Sequence, residues 1–199
     1  MPLAIELAAA RARALSPAAL LAGLASGRAL LAREAGGGPA RHRTLRQAFL
    51  WSYDLLPAPE RRLLRTLSVF AGGFTIEAAA EVAGGLAGWE GSETLLAALA
   101  GLVDHSLVVR EGERFSMLES LREFAAERLA EAGELGAARA AHAAWALALA
   151  ERAEAAEHSP QERALFDELE RERGNLRAAL GWACDAGDPD VAARLGRAL

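Results

Sequence analysis

The stretch Ser106-Leu-Val-Val-Arg-Glu-Gly-Glu-Arg-Phe-Ser-Met-Leu118 departs from everything on either side of it. Ser106–Arg110 and Arg114–Leu118 are short runs carrying β-branched or aromatic residues, and Glu111-Gly112-Glu113 between them is a turn. The segment therefore reads as a β-hairpin. Its flanks have a helical period instead. Ahead of it the spacing predicts helices over Thr44–Leu56, Ala58–Phe70, Ile76–Val82 and Glu93–Asp104. Pro57 and Pro59, Ala71-Gly72-Gly73, and Gly84-Gly85 with Gly88 punctuate them. A further helix, Glu119–Ala132, follows the hairpin at once.

Several helices followed by a two-stranded wing is the layout of a winged helix-turn-helix. Upstream, Leu3–Ala14 reads as an amphipathic helix, Ser16-Pro17 as the cap of a second over Pro17–Ala25, and Arg28–Arg33 as a short third. Gly36-Gly37-Gly38-Pro39 is the clearest linker. From Leu135 onward only helices are expected, over Leu135–Glu157, Pro160–Arg173, Leu176–Ala186 and a last one begun by Asp188-Pro189. Ser159-Pro160-Gln161-Glu162 has the spacing of a capping box. Trp145, Leu149, Leu176, Leu180 and Trp182 should face inward between paired helices, and Trp51, Tyr53, Phe70 and Phe74 should be core. The fold class is mainly α: a helical subdomain at 1–38, a winged helix-turn-helix with a small β-hairpin wing at 39–134, and α-hairpins at 135–199. The pattern is still helical at Arg197-Ala198-Leu199, as in a piece of a longer protein.

Composition excludes much chemistry. The 199 residues carry a net charge of −5, and all 22 basic residues are arginine. Without lysine there is no Walker A lysine and no Schiff base. The single cysteine, Cys184, forms no internal disulfide, which fits a reducing cytoplasm. No apolar run is long enough to span a membrane, and Met1–Leu15 lacks the features of a signal peptide. His42, His105, His142 and His158 show no metal-ligand spacing, and no Gly-x-Ser-x-Gly elbow occurs. Asp167, Glu168, Glu170 and Glu172 alternate with Arg163, Arg171 and Arg173, as on a solvated helix face. No catalytic residue and no metal site is expected.

A winged helix raises the question of DNA. Residues Arg41–Phe70 hold six arginines against Asp54 and Glu60, a mild basic patch. The helix ahead of the wing, Ser92–Asp104, has no Arg, Lys, Asn or Gln to meet base edges, and Glu93 and Asp104 repel phosphate. In the wing, Arg110 and Arg114 are offset by Glu111 and Glu113. No direct DNA binding by this segment is expected, and a protein-docking role fits better.

Particular residues carry a resemblance. Leu45-Arg-Gln-Ala-Phe-Leu-Trp-Ser-Tyr-Asp-Leu-Leu-Pro57, Arg65-Thr-Leu-Ser-Val-Phe-Ala-Gly-Gly-Phe-Thr-Ile-Glu-Ala-Ala79, Leu102-Val-Asp-His-Ser-Leu-Val108 and Phe115-Ser-Met-Leu-Glu-Ser-Leu-Arg-Glu-Phe-Ala125 occur in this order. Together they resemble the winged-helix part of bacterial STAND, or NB-ARC-type, signalling ATPases found in large LuxR-type and antibiotic-regulator-type transcription factors. Pro2-Leu-Ala-Ile-Glu-Leu-Ala-Ala-Ala-Arg11 is similar to that family's Gly-x-Pro helix. Asn175-Leu-Arg-Ala-Ala-Leu-Gly-Trp-Ala183 is similar to the opening of its tetratricopeptide-like (TPR-like) sensor array.

The resemblance implies an ARC1-like helical subdomain, the winged helix and the first sensor repeats. In the family these close over an upstream P-loop domain that binds ATP or ADP, and a protein or small-molecule signal on the repeats releases them. The partners implied are that nucleotide-binding domain and the signal, with neither membrane nor DNA. Pro2 corresponds to a proline near the nucleotide base. Met117, Leu118 and Glu119 correspond to a Met-His-Asp triplet whose histidine touches phosphate; leucine offers no such donor. No cofactor is expected in this chain itself, ATP or ADP being implied for the full-length family. The alternatives are a helical-repeat adaptor using Leu135–Leu199 to hold a partner, and a free-standing DNA-binding winged helix.

Overall fold

The computed structural model describes residues 40–86, 89 and 92–199. The expected subdomain at 1–38, with Pro2, lies outside the described residues.

Helix α1 spans Ala40–Asp54 and α2 spans Ala58–Leu67. The break between them is set by Pro57, which is extended at φ −55°, ψ 154°, and by Pro59 in the first turn of α2, where proline loses no hydrogen bond. Leu63, Leu64, Thr66 and Leu67 bury one face of α2. The helix ends earlier than Phe70, because Ser68 and Phe70 fold back in a tighter turn onto Arg65 and Leu67.

A strand that the sequence pattern did not reveal follows: β1, Phe74–Thr75. Thr75 also caps α3, Ile76–Gly84, its Oγ1 accepting from the Ala78 N–H at 3.2 Å. Helix α4 runs Ser92–Asp104. The wing is β2, Val109–Glu111, and β3, Arg114–Ser116, both shorter than the hairpin pattern implies. Glu111 pairs with Arg114, so the loop is Gly112-Glu113, and Gly112 at φ 62° takes the first loop position that a type II′ turn reserves for glycine. The sheet is antiparallel in the order β1-β3-β2, with Phe74 opposite Phe115. Two helices, a short strand, two more helices and a hairpin make the winged helix-turn-helix anticipated above, with a third strand added.

Helix α5, Glu119–Glu131, leads into α6, Leu135–Ala155, α7, Glu162–Arg171, α8, Arg173–Ala186, and α9, Pro189–Arg197. Asp188 caps α9 by accepting from Val191 N–H, with Pro189 in the first turn. The start of α7 differs from the capping-box expectation. Glu162 reaches back to the His158 N–H and Ser159 Oγ accepts from Gln161, so the helix proper opens two residues later than Pro160. Helix α8 packs on α6 and α9, and α6 packs on α3, which joins the helical array to the winged helix.

One core runs through both parts. Phe49, Leu63, Leu64, Phe70, Phe74, Phe115 and Phe124 are buried in the first, and Trp145, Leu149 and Leu176 in the second. Leu180 and Trp182 pack only partly buried against it. Phe70 is the hinge pin, with ring centroids 5.2 Å from Phe74, 5.0 Å from His142 and 5.5 Å from Trp145. Among the expected core aromatics Tyr53 is half-buried and Trp51 stays partly exposed; the buried ring of α1 is Phe49, against Phe124.

Two expectations follow. Phe49→Ala should cost about 3–5 kcal/mol in urea denaturation, and Trp51→Ala clearly less; a larger loss at Trp51 would reverse the facing of α1. His142 is neutral in the fold, since burial pushes it down to about 4 while Asn175 and Glu172 offset only part of that. Its unfolded value is higher, so the stability it contributes is complete above about pH 6.5 and is lost as pH falls toward 4. That loss amounts to about 3 kcal/mol. Parallel melts of the parent and His142→Gln across this range should show the extra loss in the parent alone.

Candidate functional site

Met117-Leu118-Glu119 lies where β3 hands over to α5. Leu118 sits at the N-cap of α5 with extended dihedrals, φ −59° and ψ 135°, and has no side-chain group to satisfy the first-turn N–H donors. Its side chain is 49% exposed. Met117 and Glu119 line a cavity of about 290 Å³ together with Leu67, Phe70, Phe74, Ser116, Arg122 and the Gly72-Gly73 turn. The triplet is thus divided: two members on the cavity wall, the third turned to solvent.

The polar rim is one ion pair. Arg122 Nε donates to Glu119 Oε2 at 2.9 Å, Nη2 to Oε1 at 2.5 Å, and Nη1 to the Ser68 carbonyl at 3.2 Å. The hydrogen bond from Arg122, more than its charge, holds the Glu119 carboxyl below the usual carboxylate range, and the same bond raises the Arg122 guanidinium. The floor is apolar. This arrangement offers a cation, a carboxylate and a hydrophobic recess, with no histidine or cysteine among the lining residues to act as nucleophile or base.

The wall includes residues that the sequence reading left unused. Gly72-Gly73 was legible as a turn only, and Arg122 stands one helical turn beyond Glu119, a spacing that signals an ion pair. Gly72 and Gly73 have φ of 97° and 92°, a region unfavourable to any side chain. A Cβ on Gly73 would lie 2.8 Å from the Phe115 carbonyl oxygen, whereas one on Gly72 would meet nothing within 4 Å.

Helix α4 presents Glu93, Thr94, Leu96, Ala97, Ala100 and Asp104 to solvent. Three arginines of the basic patch are engaged elsewhere: Arg46 pairs with Glu127, Arg65 binds Tyr53 and Glu134, and Arg62 lies over the Trp89 ring. In the wing Arg110 remains exposed and folds back on Gly112, while Arg114 turns inward to Glu172. Glu172 corrects the view of its helix as fully solvated: it is buried, 2% exposed, while Glu170 and Arg173 pair at the surface as expected. Among the described residues no cluster of His, Cys, Asp and Glu is arranged to hold a metal, and no helix is long and apolar enough to cross a membrane.

Residues 56–130 match a family described as a winged helix-turn-helix domain. Over its full length the chain is 37% identical to a protein of Mycobacterium tuberculosis (strain H37Rv) named, provisionally, as an HTH-type transcriptional regulator, and to a counterpart in Mycobacterium bovis. It is 45% identical over 141 residues, 69% of its length, to an uncharacterized protein of the same Mycobacterium tuberculosis strain. The chain spans 23% of the first two relatives and 36% of the third. No solved structure matches it.

The cavity wall yields a comparison of neighbouring substitutions. Gly72→Ala should cost about 1–2 kcal/mol, from its left-handed backbone alone. Gly73→Ala adds a collision with backbone and should cost more by at least about 1 kcal/mol in the same denaturation series. Equal losses would mean the turn does not press on β3.

Proposed function

We propose that this chain is a non-catalytic regulatory segment of a STAND-type signal-transduction ATPase that acts as a transcriptional regulator. In this reading the winged helix, with the segment before it, closes over a nucleotide domain supplied elsewhere, and α6–α9 begin the TPR-like array that receives the signal. Pro2, Met117, Leu118 and Glu119 are the nucleotide-facing positions, ATP or ADP being held mainly by the absent domain. The Mycobacterium relatives bear on the regulatory half of the proposal, through the name that two of them carry.

The observation that carries the reading is an intact winged-helix scaffold whose DNA-reading surface is missing. Specific readout needs bidentate donors on the helix that enters the groove, each worth about 1–3 kcal/mol. The exposed face of α4 has acids, small residues and Leu96. A scaffold kept without its reading face is best explained by docking to protein, and the recess beside Met117 and Glu119 is where a neighbouring domain meets this one. A cytoplasmic location accompanies this function.

A helical-repeat adaptor is favoured by a single feature. A groove between α6, α7 and α9 has Leu147, Ala150, Ala153 and Leu169 in its lining, with Phe166 51% exposed at its lip.

Calorimetric titration of ATP and ADP into the chain, with duplex DNA at low salt as control, tests the proposal. Neither nucleotide should bind measurably, and DNA should bind no more tightly than a non-specific complex, with a Kd above roughly 1 μM. Micromolar nucleotide affinity would reveal a complete site within the chain and overturn the segment reading; nanomolar, sequence-dependent DNA binding would restore the free-standing winged helix.

A further inference from the structure

The structure assigns to Asn175 the role of a positioning residue that ties the helical array to the cavity beside the wing. Asn175 lies in the first turn of α8 and is 1% exposed. Its Oδ1 accepts from the Ala71 N–H at 2.6 Å, and its Nδ2 donates to the Gly73 carbonyl at 2.9 Å and to Glu172 Oε2 at 2.6 Å. The asparagine side chain is therefore bonded at both its oxygen and its nitrogen, with two of these bonds to the backbone of a turn about a hundred residues away in sequence. Glu172 in turn accepts from Arg114 of β3, at both carboxylate oxygens.

The turn held in this way cannot hold itself. Gly72 and Gly73 have the freest backbones available, and both sit at positive φ. Their place is fixed from two sides. Gly73 touches the Phe115 carbonyl of β3, and Gly174 of α8 lies so close to Ala71 that a Cβ would fall 2.4 Å from the Ala71 oxygen. The asparagine supplies the directional bonds within that contact. A leucine would match its bulk yet strip the part-buried Ala71 N–H and Gly73 carbonyl of their asparagine partner and leave the buried Glu172 carboxyl one donor short.

The far side of the turn is the wall of the cavity that Met117, Glu119 and Arg122 complete. A displacement of α8 thus moves Ala71–Gly73, and through the Gly73–Phe115 contact it moves β3 and the start of α5. Because α8 packs on α6 and α9, the array and the recess share one joint. The coupling holds whatever occupies the recess, and it runs equally in both directions.

Hydrogen exchange of the full 199-residue chain, resolved by residue, tests this. In Asn175→Ala, the amides of Gly72–Phe74 should exchange about tenfold faster or more. Those of Leu118–Arg122, outside the hydrogen bonds of Asn175 named above, should exchange about threefold faster, while Leu63 and Leu64 in α2 stay within about twofold. Acceleration spread evenly over all core amides would mean that Asn175 contributes general stability only, and the assignment would fall. It would fall equally if the turn accelerated and Leu118–Arg122 did not. Should Asn175→Ala not fold, Arg114→Gln removes one leg of the joint at a partly exposed site. It should give a smaller rise, about threefold, at Gly72–Phe74 and Leu118–Arg122; unchanged exchange there overturns the coupling.

Discussion

Phe70 sits between two structures that would otherwise be separate. It packs tilted against Phe74 at the first strand of the sheet and meets His142 and Trp145 on α6 edge to face. Aromatic pairs of this kind add about 0.5–1.5 kcal/mol each beyond the area they bury. The winged helix is small, and α3 is covered on one side by α6 rather than by solvent. The orientation of the helical array follows from that cluster. So does the neutral state of His142, which is enclosed by the same rings and has no partner at Nε2.

Much of this is legible in the sequence. Proline and glycine punctuate every helix junction in the winged helix, and Asp188-Pro189 marks the last helix start within a residue. What escaped was of two kinds. β1 is two residues long, too short for an alternating pattern; it exists because Phe74 finds Phe115 across the sheet, a long-range contact with no local signature. The burial of Phe49 instead of Trp51 has the same origin. Both lie on one amphipathic helix, and only the position of Phe124 on α5 decides which of the two turns inward.

The candidate site was legible to a similar depth. Met117 and Glu119 were reached through a resemblance, and the cavity they line has its remaining wall in residues read only as a turn and as a helical charge pair. Local rules describe Glu119 and Arg122 well, since an i,i+3 pair needs nothing from the rest of the fold. They fail at Glu172. In sequence it is one acid among four in an Arg-rich helix, and charge runs are normally solvated. It is buried because Arg114 and Asn175 meet it there, and a carboxylate survives in such a place only with bonds of that quality.

The fate of Arg114 bears on the proposed protein-docking role of the winged helix. A wing arginine is well placed for a phosphate only when its guanidinium is free. Here the strand position that would offer it carries the charge back into the molecule, where it neutralises Glu172 and fastens β3 to the corner between α7 and α8. The same residue cannot serve both ends. Fastening the array to the wing therefore occupies the Arg114 guanidinium, and the exposed face of α4 carries no Arg, Lys, Asn or Gln among its described residues. What the sheet and the α2–α3–α4 core support is a corner with a glycine turn as one wall, hydrogen-bonded from behind by an asparagine on the array.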